Sequence, residues 1–539
     1  PHFVAYKIQL QRPLDFMAVT DHSEYMGIMM QMINHNSPLA KLELAEQVRS
    51  EDRAVSLQAF STIGTSIAYN KAIDELVEED IIKSTWQRIV EAANDHYEPG
   101  KFTTFPAYEW TSSPAGSGKG DSTFAYNLHR NVVYRGDQVS EVPFSSFNSQ
   151  DPEQLWAWMD KERENGITMM AIPHNGNMSD GAMYASETFE GQPLSKAYAE
   201  ARMRNEPINE VVQIKGQSMS HPTLSPNDEF AAFELYPYTF STSFPPTSRP
   251  DGSYVRKALK DGLKIEQAIG ANPYKFGLIG SSDGHNGGGS IEENNHFGKF
   301  GNMDGDAASR IKPGEKFLRA KYFSAAGLAA VWAEENTRES IYAALERKET
   351  FATSGPRIKL RFFAGYDLAE IDLKDEAWVK TAYQEGVAMG SDIPTGIKGK
   401  PGFLIHAVKD AEGANLDRVQ IVKGWVDASG ESQEKIFNVA WSGDRRLDEN
   451  GDLTEVGNTV NVKEATYENS IGAIQLMTYW EDPDFDPSIS AFYYVRVLEI
   501  PTPRWSTFDA HSLNLPTPND VDETIRERAW SSPIWYKGQ

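Results

Sequence analysis

The sequence predicts an α/β protein in which a parallel sheet region, open or closed, is followed by an antiparallel β domain of sandwich type. Three observations lead there. Apolar strand-like runs alternate with helical segments up to about residue 355, the pattern of a parallel α/β domain. After GPRIKL the chain becomes a series of alternating runs separated by Gly, Asp and Asn turns. Several of the early strands end in a His or an acid, at the strand end where α/β folds gather functional groups.

The elements follow in order. Residues 13–22, PLDFMAVTDH, read as a strand buried on both faces and broken by polar residues. Residues 39–97 carry apolar positions at helical spacing, as in LAEQVRSEDRAVSLQAF and DIIKSTWQRIVEAA, and form a helical insertion. A strand at 102–109 precedes the Gly/Ser-rich loop TSSPAGSGKGDS, and NLHRNVVY at 127–134 is the next strand. Asp151-Pro152-Glu153 supplies an N-cap, a proline at the first helical position and an acid in the first turn of a helix running to Gly166. Strands follow at 167–174 (ITMMAIPH) and 211–216 (VVQIKG), while FAAFELY is ambiguous. The helix YVRKALKDGLKIEQAIG stops on Gly270, KFGLIGSSDGH at 275–285 is a strand, and Thr337 caps a helix over 337–349. Domains are therefore expected at 1–355 and 356–505. The tail, 506–539, ends in ERAWSSPIWY, apolar enough to pack back on the body.

Composition narrows the function. The 539 residues suit two or three domains, and a formal charge of −25 argues against nucleic acid and anionic membranes as partners. No apolar run approaches the length of a membrane-spanning helix. With no cysteine, a metal site must be built from His and carboxylates. The acidic exterior leans towards a small diffusible substrate and a periplasmic or secreted setting, without fixing localisation. An oligomer is compatible with all of this.

Those ligand types recur at one kind of address. His22, Glu109, His174, Asp283 and His285 fall at strand ends, and His129 lies within NLHRNVVY. Asp283 and His285, two apart, can reach a common point. Strand ends converge in a parallel sheet, so these residues predict a cluster of two or three divalent ions, Mn, Zn or Fe, with Glu109 as bridge. Clusters of this kind suit displacement at phosphorus. Asp21 joins the candidates, although its position next to His22 points it the opposite way and suits an orienting role.

The motifs VTDH, the Glu of AYEW, IPHNGN and GSSDGH resemble those of the polymerase and histidinol phosphatase (PHP) superfamily. PLDFMAVTDHSEYMG, PGKFTTFPAYEWTS, HRNVVY, QIKGQS, NPYKFGLIGSSDGHN, TRESIYAALERKETFATSGPRI, YYVRVLEIPTPRW and SSPIWY resemble, more closely, the PHP-related family labelled domain of unknown function 3604, over nearly the whole chain. The resemblance implies a distorted (β/α)7 barrel with a multinuclear site. It also implies that His22, Glu109, His129, His174, Asp283 and His285 are metal ligands. PHP proteins begin with a His-x-His strand. His2 stands alone here and the chain starts without Met, so that strand is expected upstream of Pro1, with any export signal before it.

Arg130, Lys215 and Arg256 are the candidates for binding a small anionic ester: a guanidinium beside a ligand, a lysine after a strand, and a guanidinium early in a helix. Asn175, Asn286 and Gly287–Gly289 can shape a rim, and His221 or His296 can protonate a leaving oxygen. Tyr236 and Trp110 suit packing or pocket wall, and His35, His96, His406 and His511 suit structural or surface positions. The expected activity is metal-dependent hydrolysis of a phosphate ester, monoester or diester, with a sulfate ester as a close variant. Two alternatives stay open: an amide or lactone hydrolase, and a non-enzymatic secreted binding or structural protein.

Overall fold

The structure, a computed structural model, describes residues 8–114, 126–238, 249–301, 303–312 and 320–539. His2 and most of the Gly/Ser-rich loop after Trp110 lie outside them. The protein is mixed α/β with several sheets, and among the described residues the strands do not hydrogen-bond into a closed barrel.

Strand Phe16–Ala18 pairs in parallel with Thr103–Phe105. Between them the chain is helical, with Ile28–Ile33, Glu43–Val48, Arg53–Ala68 and Glu79–Asp95 as its α-helices. Pro106 has no N–H to donate, and the predicted 102–109 strand divides there into Thr103–Phe105 and Ala107–Trp110. Ala107–Trp110, Arg130–Tyr134 and Met169–Pro173 form a sheet in which the middle strand is antiparallel to both neighbours. This corrects the all-parallel expectation. A parallel connection needs a crossover of a dozen or more residues, usually a helix, and the Gly/Ser-rich segment after Trp110 carries no helical pattern. Ile208–Gln213 then pairs in parallel with Gly277–Gly280.

Apolar side chains from these strands share one core: Ala107, Val133, Met170, Ile172, Ile208 and Ile279, with Phe16, Ala18 and Ala329 against them and helix Arg338–Glu346 covering one side. Gly280 is needed for closure. A Cβ there would stand 2.8–2.9 Å from backbone atoms of Leu328 and Thr353, too close for any other residue. Helix Pro152–Glu164 starts on the Asp151 side chain, and helix Val255–Ile269 ends on Gly270 in the left-handed conformation that glycine adopts without cost.

Two antiparallel sheets pack face to face through a second core, Phe362, Phe403 and Ile405 meeting Val419, Ile421, Tyr493 and Val495. The smaller sheet holds Lys359–Gly365, Gly402–Val408 and Gln475–Glu481. The larger runs Ser432–Trp441, Leu416–Val426, Ala491–Glu499, Arg528–Ser531, Thr350–Thr353, Leu328–Val331. It thus crosses residue 355 without a break. The tail contributes Arg528–Ser531 and also Ile534–Tyr536, which pairs with Ala491–Glu499. No described helix is long and apolar enough to cross a membrane.

Candidate metal centre

The site follows from the alternation of side chains along strands. On each strand the residue facing the first core lies two or four positions from a polar group at the same end. Ala107 is followed by Glu109, Ile172 by His174, Ile208 by Glu210, Ile279 by Asp283 and Ala18 by His22. His129 reaches this end from the other direction. Its strand is antiparallel, so the residue that precedes Arg130–Tyr134 falls beside the ends of its neighbours, where its carbonyl accepts from the His174 N–H at 3.3 Å. His22 and Glu109 form a parallel bridge, with Glu109 N–H donating to the Asp21 carbonyl at 2.8 Å.

Glu109, His129 and His174 are buried, and their ligand atoms lie within 4.8 Å of one another. Glu109 Oε1 is 2.7 Å from His129 Nδ1 and 3.1 Å from His174 Nε2, and Oε2 is 3.4 Å from His22 Nδ1. Tetrahedral ligands about 2.1 Å from a shared cation are about 3.4 Å apart, so the spacing is that of a coordination shell drawn slightly inward. His22 and His285, 40% and 31% exposed at the side chain, stand on the open side with ring centroids 5.5 Å apart. His285 Nε2 is 3.4 Å from Asp283 Oδ1. Thr111 Oγ1 holds His22 Nδ1 at 2.5 Å, and Ser113 Oγ holds His129 Nε2 at 2.7 Å. Asn175 and Asp283 both have positive φ, 55° and 50°, and are joined by an Asn175 Nδ2 hydrogen bond to Asp283 Oδ2 at 3.1 Å. Backbone strain of this kind concentrates at functional sites.

Most of the protonation states suit a cation, and His174 is the exception. Burial works to raise the Glu109 pKa, but His22, His174 and His129 outweigh it and hold the carboxyl well below its usual range. Burial likewise opposes ionisation of Asp283, and Lys215 and Lys299 reverse that, again to well below the usual range. Burial pushes His129 down to about 4, with Glu109 resisting, and burial with Lys299 pushes His285 down to about 4. His174 is raised: burial opposes its charge, but Glu109, Glu210 and Asp283 favour it. Ionised carboxylates and neutral imidazoles are the forms that bind divalent ions: Glu109, Asp283, His129 and His285 lean that way, whereas His174, held towards its charged form by the surrounding carboxylates, has to release a proton to bind one.

Residues 2–538 match the family described as "Protein of unknown function (DUF3604)". The chain belongs to that family. No curated protein and no solved structure shows significant similarity to it. In this DUF3604 protein the His174 ring provides the test of whether a cation fits. The residue is 2% exposed, and although Glu109 Oε1 stands 3.1 Å from Nε2, neither ring nitrogen makes a well-aligned hydrogen bond among the described residues. A buried imidazole whose nitrogens make no aligned hydrogen bond is costly, and a metal ligand bond would satisfy one of them. The donor set, imidazole and carboxylate around Glu109, fits a divalent transition ion.

The remaining candidates separate. Asp21 is exposed and contributes its backbone carbonyl to Glu109. Lys215 reaches the site and pairs with Asp283 Oδ2. Arg130 and Arg256 are both turned to groups of the chain itself. Arg130 Nε bonds Glu206 Oε1 at 2.9 Å, and Trp156 Nε1 donates to the same oxygen at 2.7 Å. Arg256 is bound by Asp228 at 2.8 Å, Tyr494 Oη at 2.7 Å and Glu434 at 3.4 Å. Both guanidiniums are 1% exposed, so each is an internal strut whose charge is met by the fold. His221 bonds Thr223 and packs on Tyr254, and buried His296 stacks on Trp505 at 4.5 Å. Trp110 donates to the Ser149 carbonyl, and Tyr236 stacks on Phe323. Asn286 braces its loop through Gly298 O and Gly288 N–H.

Sequence reasoning missed Glu210 and Lys299. Glu210 sits in the buried strand INEVVQ, where an acid two residues past a core isoleucine was a readable signal. Burial pushes it up to about 7, and its carboxylate accepts from Asn175 N–H at 3.3 Å and from Ser281 Oγ. Lys299, in the loop HFGKFG, carries no such periodicity; it is 2% exposed, 2.8 Å from Asp283 Oδ1, and pushed down to about 8 by burial.

Proposed function

We propose that this protein is a metal-dependent hydrolase of anionic esters, phosphate esters foremost and sulfate esters as the close variant. One observation carries the reading: a buried carboxylate, Glu109, set within 2.7–3.4 Å of three imidazoles, with the ligand atoms of Glu109, His129 and His174 all within 4.8 Å of one another. Glu109, His129 and His174 would hold one cation, and His22, Asp283 and His285 extend the ligand set towards solvent for a second or third. Such ions supply Lewis-acid activation of water and neutralise charge in an in-line displacement. The chain's own residues do the rest. Thr111 Oγ1 and Ser113 Oγ hold the orientations of the His22 and His129 rings through Nδ1 and Nε2. Glu109 stays ionised at the floor, and the more exposed His22 and His285 leave access from solvent.

The core shared by the short strands around this site supports a barrel of the PHP type, with the ligands at one rim. The experiment is a panel of phosphate mono-, di- and triesters and sulfate esters with the protein loaded with Mn²⁺, Zn²⁺ or Fe²⁺. Turnover of an anionic ester that disappears on chelation is the expected result. Bound metal with turnover only of amides or lactones would replace the reading with the carbonyl one.

A further inference from the structure

Glu24 is a buried carboxylate that the candidate ligand set does not use. It is 4% exposed and stands in the turn that follows His22. Its Oε1 accepts from Ser146 N–H at 2.6 Å, Ser23 Oγ at 3.1 Å and Thr111 N–H at 3.3 Å, and Oε2 shares the Thr111 N–H at 3.3 Å. Those are its partners among the described residues, and none carries a positive charge. A carboxylate buried without a cation is costly unless hydrogen bonds meet it. Three separate segments converge to do so: the turn after the first strand, the residue beyond Ala107–Trp110, and the loop between Arg130–Tyr134 and helix Pro152–Glu164. Two of the three residues it grips also touch the metal centre. Ser23 N–H donates to the Glu109 carbonyl at 2.8 Å, and Thr111 Oγ1 is 2.5 Å from His22 Nδ1. Glu24 thus holds both flanks of the parallel bridge between His22 and Glu109.

We propose that Glu24 is a positioning residue for the metal centre: by holding the Thr111 backbone it sets the His22 ring against Glu109, and with it the affinity for a cation on the His22 side. This role rests on the metal-binding part of the reading above and is independent of which ester is hydrolysed. Partners that orient a ligating imidazole govern metal affinity even though they never touch the ion. Thr111 Oγ1 stays on the His22 ring only while its own backbone is fixed, and the Thr111 N–H is fixed on Glu24. Glutamine at this position keeps the length of the side chain and an oxygen for Ser146, but its amide nitrogen meets the Thr111 N–H donor to donor. Thr111 is then loosened while the rest of the turn keeps its bonds.

The test reads metal affinity separately from turnover and from stability. The metal-free protein, Glu24→Gln, Thr111→Val and the double variant are each titrated with Mn²⁺ by calorimetry, and the Tm of each metal-free form is recorded. At least one ion bound tenfold or more weakly is expected in each single variant. The double variant is expected to be no weaker than the worse single one, because the carboxylate acts through the threonine. A metal-free Tm that falls in Glu24→Gln while Mn²⁺ affinity keeps its original value overturns the role and leaves Glu24 a fold residue. Losses that multiply in the double variant overturn it as well. Should Glu24→Gln fail to fold, a Mn²⁺-bound structure of the unmodified protein decides. An ion touching His22, with Thr111 still on His22 Nδ1 and on Glu24, supports the role; an ion that His22 does not touch, or a His22 ring that has left Thr111, refutes it. Failure of the reading beneath it looks different. No Mn²⁺ bound by the unmodified protein removes both, whereas bound metal with no ester turned over removes the hydrolase and leaves the affinity loss in Glu24→Gln to support the role.

Discussion

Replacing Asp228 with Asn tests whether Arg256 is a strut or a substrate group. Asp228 accepts from Arg496 twice, at 2.7 and 2.8 Å, and from Arg256 at 2.8 Å, all at side chains 1% exposed. Burial opposes its charge, yet Arg496 and Arg256 hold its carboxyl far below the ordinary range. Asparagine keeps the shape and removes the charge. Breaking a buried ion pair from one side costs about 3–5 kcal/mol. The low end applies, because Arg496 keeps Gln420 Oε1 at 2.7 and 2.9 Å, and Arg256 keeps Tyr494 and Glu434. About 3 kcal/mol corresponds to a melting temperature lower by about 6–12 °C for a cooperative unit of 150–250 residues. The assay pairs scanning calorimetry with phosphate titration and metal analysis at 20 °C. Lower Tm with metal content and phosphate affinity preserved is the expected outcome. An unshifted Tm together with lost phosphate binding would refute the strut and return Arg256 to the substrate.

Other outcomes follow from the same structure. Burial raises Glu293 to about 7, with Arg504 opposing and Glu234 adding, and burial raises its neighbour Glu527 well above the usual range. A raised folded pKa means stability present below about pH 4.5 and lost as pH climbs through 7. Tm should therefore fall over that window, and Glu293→Gln, which cannot ionise, should gain on the unmodified protein by a few degrees between pH 4.5 and 7; parallel Tm curves would contradict the assignment. Saturating Mn²⁺ or Zn²⁺ at 100 times its Kd should add about 2.7 kcal/mol of stability, reversed by chelator. A Tm indifferent to both would mean that the imidazole cluster holds no ion.

Much of the site was legible because a strand repeats every two residues. Ala18 to His22, Ala107 to Glu109 and Ile172 to His174 can be counted off the sequence, and the count survives even where the sheet does not close. His129 was legible as a residue but its direction was not read; the only local clue that Arg130–Tyr134 runs antiparallel is that the Gly/Ser-rich sequence before it carries no helical pattern. The internal partners of Arg130 and Arg256 were not legible, for a physical reason. An arginine beside a ligand reads the same whether its carboxylate is a substrate or an internal Glu206 or Asp228, and Glu206 lies 76 residues from Arg130 in the chain. Lys299 was hidden because a loop has no period, and only the folded path of 286–301 brings it to Asp283. The domain boundary at 355 marked a real change in texture. Hydrogen bonding ignores it, because Thr350–Thr353 pairs with the tail strand Arg528–Ser531.

The most direct measurement is an anomalous-scattering structure of the protein grown with Mn²⁺ or Zn²⁺, beside one of Glu109→Gln under the same conditions. The account predicts a metal peak about 2.0–2.2 Å from Glu109 and His174 in the unmodified protein and its loss in the variant. A peak of equal strength in both, or none at these residues in either, would contradict it.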